Sequence, residues 1–132
     1  MKKLTLLSLL TLVFLFSYAG AITAAGHSVI TGAELQTMIK STEEAKLVII
    51  DVREPGLFVR GHIPGAINIP FNGARARVTK ELNAEDRNVF VCHGGPMGDT
   101  LSAILLKNGF TKVYNLKGGM RRGWHGKLER GR

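Results

Sequence analysis

The sequence predicts an α/β fold, a parallel sheet with helices packed on both of its faces. Three features point there. Two apolar runs, 47–50 (LVII) and 89–91 (VFV), lack the polar–apolar alternation of a half-exposed strand and read as strands buried on both sides. Elsewhere apolar residues recur at helical spacing. Strand and helix signals alternate along the chain, the pattern of a sheet built through right-handed crossovers.

In chain order, Val29 and Ile30 open the sheet as a short strand. Residues 31–34 (TGAE) form a capping box, so a helix starts there and runs through Leu35, Met38 and Ile39. The run 47–50 is the first buried strand and ends at Asp51. Pro55 suits a first helical position, and Leu57, Phe58 and Val59 extend it into a short helix stopped at Gly61. Residues 63–65 (IPG) turn the chain into a strand at 66–69 (AINI), closed by Pro70. From Phe71 to Arg87 the sequence is polar, and only one helical turn, around Lys80, Glu81 and Leu82, is predicted. The run 89–91 leads straight into Cys92. A loop with Gly94, Gly95, Pro96 and Gly98 then precedes a helix marked by Leu101, Ile104 and Leu105 and ended by Gly109. Val113 and Tyr114 make the last strand. Gly118 and Gly119 open a short helical tail bearing Trp124, expected to be a core or lid aromatic.

A chain of 132 residues, 45% hydrophobic and 21% charged, holds one compact domain and is neither disordered nor fibrous in composition. Its single Cys excludes an internal disulfide framework and a Cys-rich zinc site. The net charge of +8 favours anions or acidic partners. Lys2 and Lys3 precede an apolar run from Leu4 to Phe16, broken only by Thr5, Ser8 and Thr11, and Ala19-Gly20-Ala21 fits a small-x-small cleavage site. Residues 1–21 are therefore expected to be an export signal. The alternative is an uncleaved membrane anchor reaching about residue 25. Either way the domain at 28–126, with a basic tail at 127–132, is expected outside the cytoplasm, in the periplasm, touching membrane only if the segment stays attached.

Sites in such folds lie beyond the carboxyl ends of the strands, where Cys92 stands. A thiol between a strand and a helix start meets free N–H groups and the positive end of the helix dipole, which together favour a nucleophilic thiolate. Gly94, Gly95 and Gly98 are able to adopt positive φ, so the loop is expected to curl its N–H groups inward as an anion nest. The competing reading is a buried Cys acting as a small hydrophobe.

These residues carry a resemblance. Segment 47–70 (LVIIDVREPGLFVRGHIPGAINIP) resembles the first signature of the rhodanese homology family. Segments 89–92 (VFVC), 108–110 (NGF), Val113-Tyr114 and 116–124 (LKGGMRRGW) are similar to its catalytic strand and its end, so the likeness spans about residues 28–124. The resemblance implies a three-layer fold with a five-stranded parallel sheet. It also implies a sulfurtransferase that holds a sulfane sulfur as a persulfide on Cys92. Donors would be thiosulfate, polysulfide or a persulfide, and acceptors cyanide, sulfite or thiols. By the same likeness residues 93–97 form the cradle, Asp51 and Arg53 brace the loop, and no cofactor is needed.

The departures are equally informative. Active members of the family usually read Cys-x-x-Gly-x-Arg-Ser/Thr, whereas this chain reads Cys92-His93-Gly94-Gly95-Pro96-Met97-Gly98. Met97 stands where an anion-clamping Arg is expected, Pro96 has no N–H to offer, and Asp99 adds a negative charge near the mouth. Weak thiosulfate turnover follows, with polysulfide or a protein persulfide as the better donor. A Cys-dependent phosphatase or arsenate reductase needs a loop Arg and is disfavoured. A non-catalytic sulfur carrier or binding module stays open as the alternative.

His93 is either a proton donor beside the sulfur or, with Cys92, a ligand to a soft metal. Adjacent residues rarely serve one metal, so no metal site is expected. His62 reads as structural and His125 as a surface residue. The basic groups Arg75, Arg77 and Lys80, and Arg121, Arg122, Lys127, Arg130 and Arg132, lack interleaved aromatics, so nucleic acid is not an expected partner. They suit steering of anionic sulfur species or contact with acidic lipid or protein surfaces.

Overall fold

A computed structural model describes residues 26–132. The expected signal or anchor, with its cleavage site, lies outside the described residues. The elements are β1 (Ser28–Ile30), α1 (Gly32–Lys40), β2 (Leu47–Asp51), α2 (Pro55–Arg60), β3 (Ile67–Asn68), α3 (Phe71–Glu81), β4 (Arg87–Val91), α4 (Pro96–Lys107) and β5 (Val113–Leu116), followed by one π-helical turn (Gly119–Gly123). The five strands form one all-parallel sheet in the order β1-β5-β4-β2-β3. No helix of the described residues is long and apolar enough to cross a membrane.

Alternation along the central strands divides the core into two layers. Ile50, Val52, Phe90 and Cys92 face α3 and α4, where Ala74, Val78, Leu101 and Leu105 close one layer. Ile49, Val89 and Val91 face the other way, onto Leu35 of α1, Ile63 and Trp124. All five β4 residues are buried, which is why that run shows no alternation. Fully burying a side chain such as Phe90 contributes about 1.5–3 kcal/mol.

The capping box at α1 forms as the sequence predicts: Glu34 N–H donates to Thr31 Oγ1 at 3.2 Å, and the Glu34 carboxylate accepts from Thr31 N–H at 2.7 Å. Two helices differ from expectation. α3 spans 11 residues rather than one turn. Only Ala74 and Val78 of it are buried, so tertiary contact with the sheet, and not a wide apolar stripe, makes it a helix. The exposed Arg77–Glu81 pair at 2.6 Å adds i,i+4 support. α4 begins at Pro96, whose fixed φ and missing N–H fit the first turn, so the loop after Cys92 is shorter than expected.

The C-terminal residues pack against α2. His62 and Glu129 exchange backbone hydrogen bonds of 2.9 Å in both directions, and Gly131 N–H donates to Val59 O at 2.9 Å. His62 is buried, stacked on Phe58 with ring centroids 3.7 Å apart, and its Nδ1 donates to Phe58 O at 2.8 Å. Its role is structural.

Candidate active site

β4 delivers Cys92 to the end of the sheet, and α4 starts four residues later. Gly95, the N-cap, holds φ 131° and ψ −49°, a conformation L side chains avoid, and its N–H donates to Cys92 Sγ at 2.9 Å. The expected curl of three glycines reduces to this one, because Gly94 and Gly98 are absent from the positive-φ residues. The cradle therefore presents one N–H donor to the sulfur among the described residues rather than a series. The reason is local: Pro96, the first residue of α4, has no N–H to offer, and the Asp99 N–H is taken by Gly95 O.

The π-helical turn backs the loop. Met120 N–H donates to Cys92 O at 2.8 Å and Arg121 N–H to His93 O at 3.1 Å. Gly119, at φ 54°, lies so close that a Cβ there would sit 2.3 Å from Cys92 O. Sequence reasoning assigned Gly118 and Gly119 only to a tail. Their glycine pair, late in a chain whose reactive loop is glycine-rich, was the available signal.

Asn115 in β5 was also missed. It is buried, and its Nδ2 donates to Gly95 O at 2.9 Å and to Asp99 Oδ1 at 2.7 Å. A polar residue inside the run 113–116 (VYNL) was its visible mark. Gly98 is glycine for space, since a Cβ there would meet Asn115 Oδ1 at 2.0 Å. Asp99 also accepts from His27 Nε2 at 2.7 Å, so the charge expected at the site mouth is bound to two neighbours.

Asp51 and Arg53 form a buried ion pair, with Arg53 Nη2 2.7 Å from Asp51 Oδ2 and Nε 3.0 Å from Oδ1. Arg53 also donates to Gly61 O at 2.8 Å, and Asn68 Nδ2 holds the carbonyls of both residues. These bonds tie the end of β2 to the end of α2. None runs to residues 93–97, so the pair braces the strand beside Cys92, through Val52 N–H on Val91 O at 2.9 Å, rather than the loop itself.

The sulfur is less open than the sequence suggests: Cys92 is 0% exposed and shares its apolar layer with half-buried Met97. His93 and Gly94 are half-buried, and Pro96 and Asp99 are exposed. A cleft of about 640 Å³ reaches the loop at Gly94, between the start of α1 and the basic side chains of Lys117, Arg122 and His125. No carboxylate of the described residues lines it. The arrangement offers a hydrogen-bonded sulfur at a helix start, beside a surface that attracts anions.

Comparison with known proteins agrees with this geometry. The family model for the rhodanese-like domain matches residues 31–126. The chain is 38% identical over 90 residues to YrkF of Bacillus subtilis, named as a candidate sulfur carrier protein, covering 68% of this chain and 48% of that one, so it spans about half the length of that relative. It is 32% identical over 88 residues to the thiosulfate sulfurtransferase GlpE of Shewanella oneidensis, covering 67% of this chain and 85% of that one. Among solved structures, a rhodanese-like domain protein from Staphylococcus aureus superposes with a TM-score of 0.64 at 27% identity, over 80% of this chain and 99% of that one. A Cys just past the end of β4, an all-parallel sheet in the order β1-β5-β4-β2-β3 and a matching family model together place the chain in the rhodanese-like domain family of sulfurtransferases and sulfur carriers.

Proposed function

We propose that the protein is a sulfurtransferase working through a Cys92 persulfide. The Cys92 thiolate attacks the outer sulfur of the donor. With thiosulfate, the donor S–S bond breaks and sulfite leaves with the electron pair. An acceptor nucleophile, such as cyanide, sulfite or a thiol, then attacks the terminal sulfur, and the thiolate is regenerated. Electrons and sulfur balance without a cofactor. The observation that carries this reading is the Gly95 N–H on Cys92 Sγ, a donor placed where sulfur bears negative charge before loading and after discharge.

Met97, in place of the family's Arg, leaves the loop without a charge-assisted clamp for a dianion, so polysulfide or a persulfide is the preferred donor and thiosulfate a poor one. The basic cleft beside Gly94 supports recruitment of anionic sulfur species. Residues 1–21 put the domain in the periplasm in this reading, exported or held by an anchor.

A second reading, a sulfur carrier that loads but does not turn over, is supported by the likeness to YrkF, named as a candidate sulfur carrier protein. Mass spectrometry after separate exposure to thiosulfate and polysulfide, paired with steady-state thiocyanate formation, separates the two. Gain of one sulfur atom with turnover lost in Cys92→Ser supports the enzyme; gain without turnover selects the carrier; no gain from either donor rejects both. Initial rates with two varied substrates should give parallel lines, and intersecting lines would rule out the two-step transfer.

A further inference from the structure

We infer that Asn115 is a positioning residue for the Cys92 sulfur: it holds Gly95 so that the Gly95 N–H stays on Sγ, and Asp99 fixes which way the Asn115 amide faces. The inference rests on the reading of Cys92 as the sulfur-carrying residue. Asn115 belongs to β5 and is 2% exposed. Its two nearest polar neighbours are Gly95 O at 2.9 Å and Asp99 Oδ1 at 2.7 Å. Both are acceptors, so the amide nitrogen has to face them, and its two protons satisfy one each.

The amide oxygen is then left without a donor. Asn115 Oδ1 is buried and, among the described residues, unpaired, pressed against Gly98, where a Cβ would approach to 2.0 Å. An orphaned buried acceptor calls for a reason. Stability alone gives none, because an apolar residue would fill β5 without it. The reason lies one bond further on. Gly95 has no side chain to restrict it, yet it sits at φ 131°, where its N–H meets the sulfur. Its carbonyl is held by Asn115 Nδ2 and, at 3.2 Å, by Asp99 N–H. A chain of contacts thus runs from the Asp99 carboxylate through the Asn115 amide and Gly95 to Sγ. Asp99 acts here as an orienting acceptor, its second partner being His27.

The test is NMR on the isotope-labelled chain, with and without Cys92→Ser. In the native background, replacing the sulfur shifts the Gly95 amide proton. In Asn115→Leu, which keeps approximate volume and removes the donor, that response disappears and Gly95 amide exchange accelerates about tenfold or more. The pair Asn115→Asp with Asp99→Asn restores a 115–99 hydrogen bond but withdraws the donor from Gly95 O, and behaves like Asn115→Leu. Asp99→Asn alone, at a half-exposed side chain, keeps the fold and gives an intermediate acceleration, so it decides the matter if the other variants fail to fold. In turnover, kcat falls about tenfold while the donor KM is unchanged. A folded Asn115→Leu protein whose Gly95 amide still responds to Cys92→Ser overturns the inference, as does recovery in the exchanged pair. If the native protein never loads sulfur, the transfer reading fails while the amide measurements still judge Asn115.

Discussion

Replacing Gly95 by Ala tests the geometry around the sulfur with a single methyl group. No heavy atom lies within 4 Å of a Cβ at that position, so the substitution meets no steric obstacle from its neighbours. The penalty comes from the backbone alone: φ 131° is a conformation that L residues hold only at about 1–3 kcal/mol. That strain has two outlets. If the loop keeps its shape, the whole penalty appears as lost stability, a fall in Tm of about 5–20 °C for a domain of this size. If the loop relaxes to negative φ, stability survives, the N–H leaves Sγ, and sulfur transfer drops about ten- to a hundredfold. The first outcome is expected, because Asn115 Nδ2 on Gly95 O, Met120 N–H on Cys92 O and Arg121 N–H on His93 O hold the loop at three points. Thermal unfolding monitored by circular dichroism, run beside persulfide loading, reads both quantities. A variant with native Tm and native loading refutes the reasoning, since it leaves the positive φ without consequence.

Further outcomes follow from single contacts. Met97→Arg should lower the thiosulfate KM about ten- to a hundredfold, the worth of a charge-assisted hydrogen bond of about 1.5–3 kcal/mol; an unchanged KM in steady-state assays means that the missing clamp does not limit donor binding. Arg53→Ala leaves Asp51 as an uncompensated buried carboxylate and should destabilise the domain by about 3–5 kcal/mol, a loss that urea unfolding would reveal and that a native midpoint would contradict. Deleting residues 128–132 removes three backbone hydrogen bonds, two with His62 and one with Val59 of α2, and the cover of Leu128 on Gly61; about 2–4 kcal/mol should be lost, and unchanged stability would show the contact to be idle. Hydrogen bonds from the Thr31 backbone and hydroxyl hold the Glu34 carboxyl below its ordinary 4.5. A lowered folded value means the stabilisation is present above the unfolded pKa and disappears as pH falls through the folded one. Glu34→Gln should therefore be less stable than the native chain near neutrality and converge with it in acid; a gap constant with pH would exclude the carboxylate as its source.

Much of the fold was legible because its signals are local. The capping box at 31–34, Pro55, and the unalternating runs at 47–50 and 89–91 each predict an element from a few adjacent residues, and the elements form where predicted. α3 was not legible in full, since its helical state depends on Ala74 and Val78 meeting the sheet. The position of Cys92, between a buried strand and a glycine-rich helix start, was legible, and it makes this residue the candidate reactive centre. The partners of its loop were not: Asn115 and Gly119 lie twenty or more residues from the groups they meet, and only the pairing of β4 with β5 brings them alongside.

The sequence by itself determined the alternation of strands and helices, the family likeness and the choice of Cys92 as the candidate nucleophile, because each depends on short-range periodicity or on a run of adjacent residues. Tertiary structure decided which glycine turns its amide to the sulfur, where the Asp51–Arg53 pair acts, and that Cys92 is buried rather than open. The contacts themselves join near neighbours, but the backbone that makes them is held by distant residues, Asn115 donating to Gly95 O and Val91 O accepting from Val52 N–H, which only the pairing of parallel strands brings together.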